Sequence, residues 1–303
     1  TIELDDDMPN VADILRVEAN VYESETRVVE GKVIVGGTVD YFVMYYSDNE
    51  EDKIKHIKQE VPFTHFVEIP GAMKDMNYEL SLTTQDINYN ARGDINGDLK
   101  IIDVECAVKI EAKVYTDSEK EVITDSYSTI NKFDAKNEKI VVSESIVNEA
   151  LEETLKQVID VSTQGDKLSE VCNVNARPIV SEYRLVEGKL ILEGIIEVDV
   201  LYLADGKANL KNIKQEVPYK SYIDIEETKN SIDVEINNIL KDIKYDKISD
   251  QEVEVEVVLR NQVNINRVKN INIVTEASEL EEKIDKDSRP SITIYMVQKD
   301  DTV

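Results

Sequence analysis

Tryptophan is absent from the 303 residues, histidine and cysteine occur twice each, and there are only ten glycines and six prolines. Each shortage excludes something. Two cysteines, Cys106 and Cys172, cannot make a disulfide framework, which fits a reducing compartment. So little glycine and proline argues against collagen-like or low-complexity chains. No stretch approaches the roughly twenty apolar residues of a membrane helix. Basic residues are scarce as well: 35 against 63 acidic ones leave a net charge of −28, which repels nucleic-acid phosphates and anionic lipids. A partner with a basic patch, or a neutral glycan, is easier to accommodate. The opening residues TIELDDDMPN are acidic, the reverse of a secretory leader, and a start at Thr1 reads as a fragment of a longer protein.

What the chain does have is a repeat. IKQEVPF at 57–63 recurs as IKQEVPY at 213–219, and VVEGKVIVGGTVDYFVMYY (28–46) aligns with LVEGKLILEGIIEVDVLYL (185–203). FVEI (66–69) matches YIDI (222–225), DINY (86–89) matches DIKY (242–245), and IDVECAVKIEA (102–112) matches VEVEVVLRNQV (253–263). The offset drifts from 157 to 151, as small deletions in loops would produce. One unit of domain size has been duplicated. Its dominant period is two: Val33, Val35, Val39, Tyr41, Val43 and Tyr45 share a face, as do Leu190, Leu192, Ile196, Val198, Val200 and Tyr202. This is the signature of long half-buried strands. Gly37 and Gly194 coincide in the alignment, which predicts a bend or bulge there. Pro62 and Pro218 deny a ladder hydrogen bond, so the IKQEVP stretch should be an edge strand or a strand end.

The pattern predicts a mainly β chain: two tandem antiparallel β-sandwich or partly open barrel domains, at 1–135 and 136–284, with a helix near 145–159. That helix rests on Val147, Leu151, Leu155 and Val158. Residues 277–291 read as a charged linker, the last part of it (285–291) leading to a final segment at 292–303.

Chemistry is hard to find. His56 and His65 flank the first IKQEVP copy, but Asn212 and Ser221 replace them in the second, so they read as solvated edge histidines. Cys106 aligns with Val257 and reads as a small core residue, as does Cys172. No G-x-S-x-G elbow, glycine-rich phosphate loop or zinc spacing is present. Asp94, Asn96, Asp98 and Glu105 imitate a calcium loop, yet Leu99 takes the obligatory glycine position and a strand follows, so a hairpin turn is expected. Lys58 and Glu60, and their equivalents Lys214 and Glu216, form same-face pairs on a wet strand surface with no sign of shifted pKa values. They are candidate partner-binding residues on an edge that another strand could join. No catalytic, metal or cofactor site is assigned.

Together VEGKVIVGGTVDYFVMYY, IKQEVPF, FVEIPGA and VITDSYS resemble the SPOCS domain, a family of spore-forming Clostridia and their relatives; the second unit is the more divergent, with YIDIEET and TEASE. SITIYMVQKDDTV (291–303) resembles the first strand and turn of a LysM module through Tyr295, Val297, Asp301, Thr302 and Val303, cut short before its helices. These resemblances imply a non-enzymatic structural protein of spore-coat assembly that needs no cofactor. It would act in the mother-cell cytoplasm, binding a coat morphogenetic ATPase (SpoIVA-like) and linking it to the forespore surface. The alternative they imply is a peptidoglycan-binding protein acting through LysM, with Tyr295, Val297, Asp301 and Thr302 as contacts.

Overall fold

The computed structural model describes residues 1–49, 53–161, 167–186, 188–205, 209–225 and 232–285. Within them the chain forms twelve strands and no helix. The first repeat supplies β1 (Ile2–Glu3), β2 (Val11–Val29), β3 (Lys32–Ser47), β4 (Ile54–Glu68), β5 (Asn77–Gly93) and β6 (Leu99–Tyr115). The second supplies β7 (Asn131–Asp160), β8 (Leu168–Val186), β9 (Lys189–Ala204), β10 (Asn209–Asp224), β11 (Ile232–Lys247) and β12 (Glu252–Lys283).

Four three-stranded antiparallel sheets result, ordered β2-β3-β4, β1-β6-β5, β10-β9-β8 and β11-β12-β7. None is closed into a barrel, and the sheets pack face to face around shared cores. In the second repeat both sheets feed one core, where Leu192, Val200 and Tyr202 of β9 meet Val253 and Leu259 of β12, all fully buried. In the first repeat Val33 and Val35 pack with Leu80, Ile110 and Ala112 at one end, and Val43 and Tyr45 pack with Ile2 and Ile102 at the other. Each such buried aliphatic side chain stabilises the fold by about 1.5–3 kcal/mol relative to exposure.

The helix expected near 145–159 is not formed; these residues belong to β7. A spacing of four is even as well as helical. Leu151, Leu155 and Ile159 therefore also share one face of a strand, and that is the face that turns inward. Val158, counted toward the helix, is 40% exposed on the other side. Pairing with β12 satisfies the backbone and buries that face, which outweighs the local preference. The expected linker is also corrected in part, because Ala277–Lys283 lie within β12; residues 286–303 fall outside the described residues.

Compactness divides the chain into two units. The first comprises Thr1–Asp117, Ile146–Asn230 and Val234–Ile265, and so holds the main sheets of both repeats. The second comprises Ser118–Ser145, Ser231–Asp233 and Asn266–Val303. Its described part is joined by backbone bonds from Val274 N–H to the Ile123 carbonyl (2.7 Å) and from Ile284 N–H to the Ile130 carbonyl (2.9 Å). Glu144 there pairs with Lys269 at 2.5 Å.

Candidate functional site

The two motif glycines explain the aromatic that ends each IKQEVP copy. Gly37 lies opposite Phe63 and Gly194 opposite Tyr219 across the strand pair. A Cβ on Gly37 would stand 2.7 Å from the Phe63 ring and 2.5 Å from the Tyr22 carbonyl oxygen; on Gly194 it would stand 2.5 Å from Tyr219 and 2.4 Å from the Ile179 carbonyl oxygen. The ring lies over the glycine and fills the space its missing side chain leaves, the cross-strand arrangement known to compensate for glycine in sheets. The expected irregularity is present, but on the neighbouring strand: register shifts fall at Glu23/Glu25 of β2 and Val180/Glu182 of β8. As expected, β4 and β10 are edge strands. The motif is scaffold.

The perturbed electrostatics lie where the repeats meet inside the first unit. A cleft of about 380 Å³ is lined by Asn20, Tyr22, Asp40 and Lys58 of the first repeat and Asn173 and Tyr245 of the second. Lys58 Nζ donates to the Tyr245 hydroxyl and sits 4.4 Å above the Tyr245 ring centroid. Burial lowers its pKa to about 8, against the pull of Asp40 and Glu18. Asp40 is raised to about 6 by burial, then by Glu60 and Asp242, with Lys58 opposing. Its Oδ1 is buried without a hydrogen-bond partner. The expectation that nothing near Lys58 and Glu60 carries a shifted pKa is therefore corrected. Lys58 is engaged within the molecule through Tyr245.

Around this cleft the seam is polar. Glu18 Oε2 accepts from Asn173 Nδ2 and Asn175 Nδ2, both at 2.9 Å, and Asn20 Nδ2 donates to Asn175 Oδ1 at 3.1 Å. Glu23, whose side chain is 4% exposed, pairs with Lys241 and Arg260, each at 3.4 Å. One apolar cluster completes it: Phe42, Met44 and Ile54 against Cys172, Leu201 and Leu203. His56 is not solvated as expected; it is half-buried beside Phe42 and 3.8 Å from Glu170, and burial lowers its pKa. His65 is exposed and stacks on Phe66. Burial pushes the Cys172 thiol up to about 12, which keeps it protonated and unreactive. The sequence carried a signal of this seam in VMYY (43–46) and VLYL (200–203), where apolar residues occupy both strand faces.

Lys214 and Glu216 lie elsewhere, on the outer face of the β8-β9-β10 sheet, beside a second cleft of about 760 Å³ with Arg177, Glu197 and Asp199. Lys214 pairs with Asp199 at 3.4 Å and Arg177 with Glu197 at 2.5 Å. Lys58 and Lys214, equivalent in the repeat, thus face different surroundings. Tyr295, Val297, Asp301 and Thr302 lie outside the described residues. The calcium-like stretch is a hairpin turn: Asp94 Oδ1 accepts from the amides of Asn96 (2.7 Å) and Asp98 (3.0 Å), and Gly97 takes φ +91°. Among the described residues no group of three or more His, Cys, Asp or Glu could hold a metal ion, and no helix is long and apolar enough to cross a membrane.

The family model described as SipL, SPOCS domain matches twice, at residues 10–92 and 167–248, together more than half of the chain. The chain belongs to the SPOCS family. No curated protein and no solved structure matches it. The SPOCS matches begin at β2 and β8 and end in β5 and β11, so they cover the two halves of the seam and both IKQEVP edges. SPOCS domains form a non-catalytic family associated with the spore coat.

Proposed function

We propose that this chain is a non-enzymatic interaction protein of spore-coat assembly, which binds a coat morphogenetic ATPase of the SpoIVA type and links it to the forespore surface in the mother cell. The observation that carries the reading is the double SPOCS match laid over a seam where Lys58 and Glu23 face intramolecular partners. Lys58 is held by Tyr245 and Glu23 by Lys241 and Arg260, an arrangement that fixes two repeats together and positions no base against a nucleophile. The outer face of β8-β9-β10, with Lys214 and Glu216, is a partner surface of mixed charge.

Affinity capture of the purified chain by the coat ATPase, and separately by peptidoglycan sacculi, tests the reading. Capture by the ATPase is expected, reduced about tenfold by the paired reversal Lys214→Glu and Glu216→Lys with the melting temperature unchanged. Capture by peptidoglycan alone would favour the LysM alternative and sink the coat-scaffold reading.

A further inference from the structure

The two clefts are built on the same patch of sheet, once in each repeat. On β3 and β4, Asp40 stands across from Glu60 and Phe42 from Lys58; on β9 and β10, Glu197 stands across from Glu216 and Asp199 from Lys214. The third strand keeps the register, with Asn20 across from Asp40 and Arg177 across from Glu197. In the first repeat the patch has an occupant. Tyr245, near the end of the edge strand β11, lies on it. Lys58 Nζ donates to its hydroxyl and stands 4.4 Å from the Tyr245 centroid and 5.8 Å from that of Phe42. A tyrosine carried by a strand edge is therefore what this patch holds where it is filled.

The second patch keeps the lysine and changes its surroundings. Asp199 replaces Phe42 and pairs with Lys214 at 3.4 Å, while Arg177 replaces Asn20 and pairs with Glu197 at 2.5 Å. The Lys214 side chain is 77% exposed, and its ammonium is free to meet a ring from outside. Glu216 is exposed and, among the described residues, makes no ion pair. Three acids against two bases leave the patch one negative charge, which a basic group on the occupant would balance. Glu216 lies two residues from Lys214 on the same face of β10, about 7 Å away along the strand. An extended occupant matches that spacing with two of its own side chains, also two residues apart.

We propose that the Lys214 patch takes a strand edge of the partner protein that presents a tyrosine over Lys214 and, two residues along, a lysine or arginine that pairs with Glu216. A second copy of this chain is a poor occupant. Its own Tyr-x-Lys pair is engaged, Tyr245 by Lys58 and Lys247 by Asp250 at 3.0 Å, and the equivalent Tyr89 has Ala91 where the base should stand. The proposal names the partner's chemistry at the surface assigned above and rests on that assignment.

Amide chemical shifts of the isotope-labelled 303-residue chain, titrated with blocked synthetic peptides, test it. The probe is KDIKYDK, the chain's own residues 241–247, in which Tyr245 and Lys247 have the required spacing. Its controls carry Tyr245→Ala or Lys247→Glu. The probe should shift the amides of Glu197–Asp199 and Lys214–Glu216, and each control should bind about tenfold more weakly. Glu216→Lys in the chain should reverse the preference between the probe and the Lys247→Glu peptide. Equal binding of the tyrosine and alanine peptides, no reversal in Glu216→Lys, or shifts confined to the Lys58 cleft would each overturn the proposal. Shifts of the same amides that grow with the chain's own concentration would assign the patch to a second copy and overturn it too. If the paired reversal at Lys214 and Glu216 abolishes ATPase capture but no peptide preference appears, this inference falls and the partner reading stands. A clear preference with capture unchanged would support the tyrosine site and remove the ATPase as its partner.

Discussion

The six residues IKQEVP occur at 57–62 and at 213–218, on edge strands of equivalent sheets, yet Val61 is 40% exposed and Val217 is 9% exposed. The aromatic that follows is half-buried as Phe63 and 6% exposed as Tyr219. Nothing in the hexapeptide differs. The difference lies across the sandwich, where β7 lies under β10 in the second repeat and Ser221 of β10 bonds Glu153 of β7. The same six residues are thus buried to different extents in the two copies, and burial is a property of the neighbour as much as of the segment.

The largest expected effect tests that contrast directly. Val217→Lys places an unpaired charge in a closed core and should cost about 4 kcal/mol or more, whereas Val61→Lys should cost within about 1 kcal/mol, both read from urea midpoints. Equal losses would mean that β4 is covered after all. Next comes the seam, where the repeats are not equivalent: Glu23 aligns with Val180. Glu23→Gln leaves the half-buried Lys241 and Arg260 without their carboxylate and should destabilise by about 2–3 kcal/mol, while Val180→Ala should cost about 1 kcal/mol. The glycines sharpen the comparison from the other side, because here the copies agree. Gly37→Ala and Gly194→Ala each drive a methyl group against a carbonyl oxygen and an aromatic ring, and thermal unfolding should register about 1–3 kcal/mol for both.

The smallest effect is a pH dependence. Asp40 has a native pKa of about 6 against an ordinary 3.8. Between those values the folded state holds a proton that the unfolded state has released, so stability falls as pH rises toward 6 and stays lower above it. Asp40→Asn should remove that slope and stabilise the chain at pH 7 by on the order of 1 kcal/mol, allowing for solvent screening. Denaturation curves at pH 4, 5, 6 and 7 that keep the same slope in the variant would assign it to another group.

Much of this architecture is legible in the residues. The period of two from Val33 to Tyr45, the prolines at 62 and 218 and the Asn96-Gly97 turn all encode local geometry, and all appear where expected. The segment 145–159 was misleading because a four-residue spacing satisfies a helix and a strand alike, and only a partner strand chooses between them. In the Asp40–Lys58–Tyr245 cluster Tyr245 lies 187 positions from Lys58, so no local pattern could reveal their meeting; the doubled apolar faces of VMYY and VLYL were the seam's only trace.

Alternation, turn chemistry and duplication are short-range properties, and they are sufficient to specify strands, their order of appearance and the family to which the chain belongs. How deeply each strand is buried depends on what lies opposite it. So does the fate of Lys58, held over an aromatic ring, against that of Lys214, set in a solvated charge ladder. Burial and electrostatics depend on everything within a few ångströms in space, and identical sequences acquire different environments once the chain folds around them.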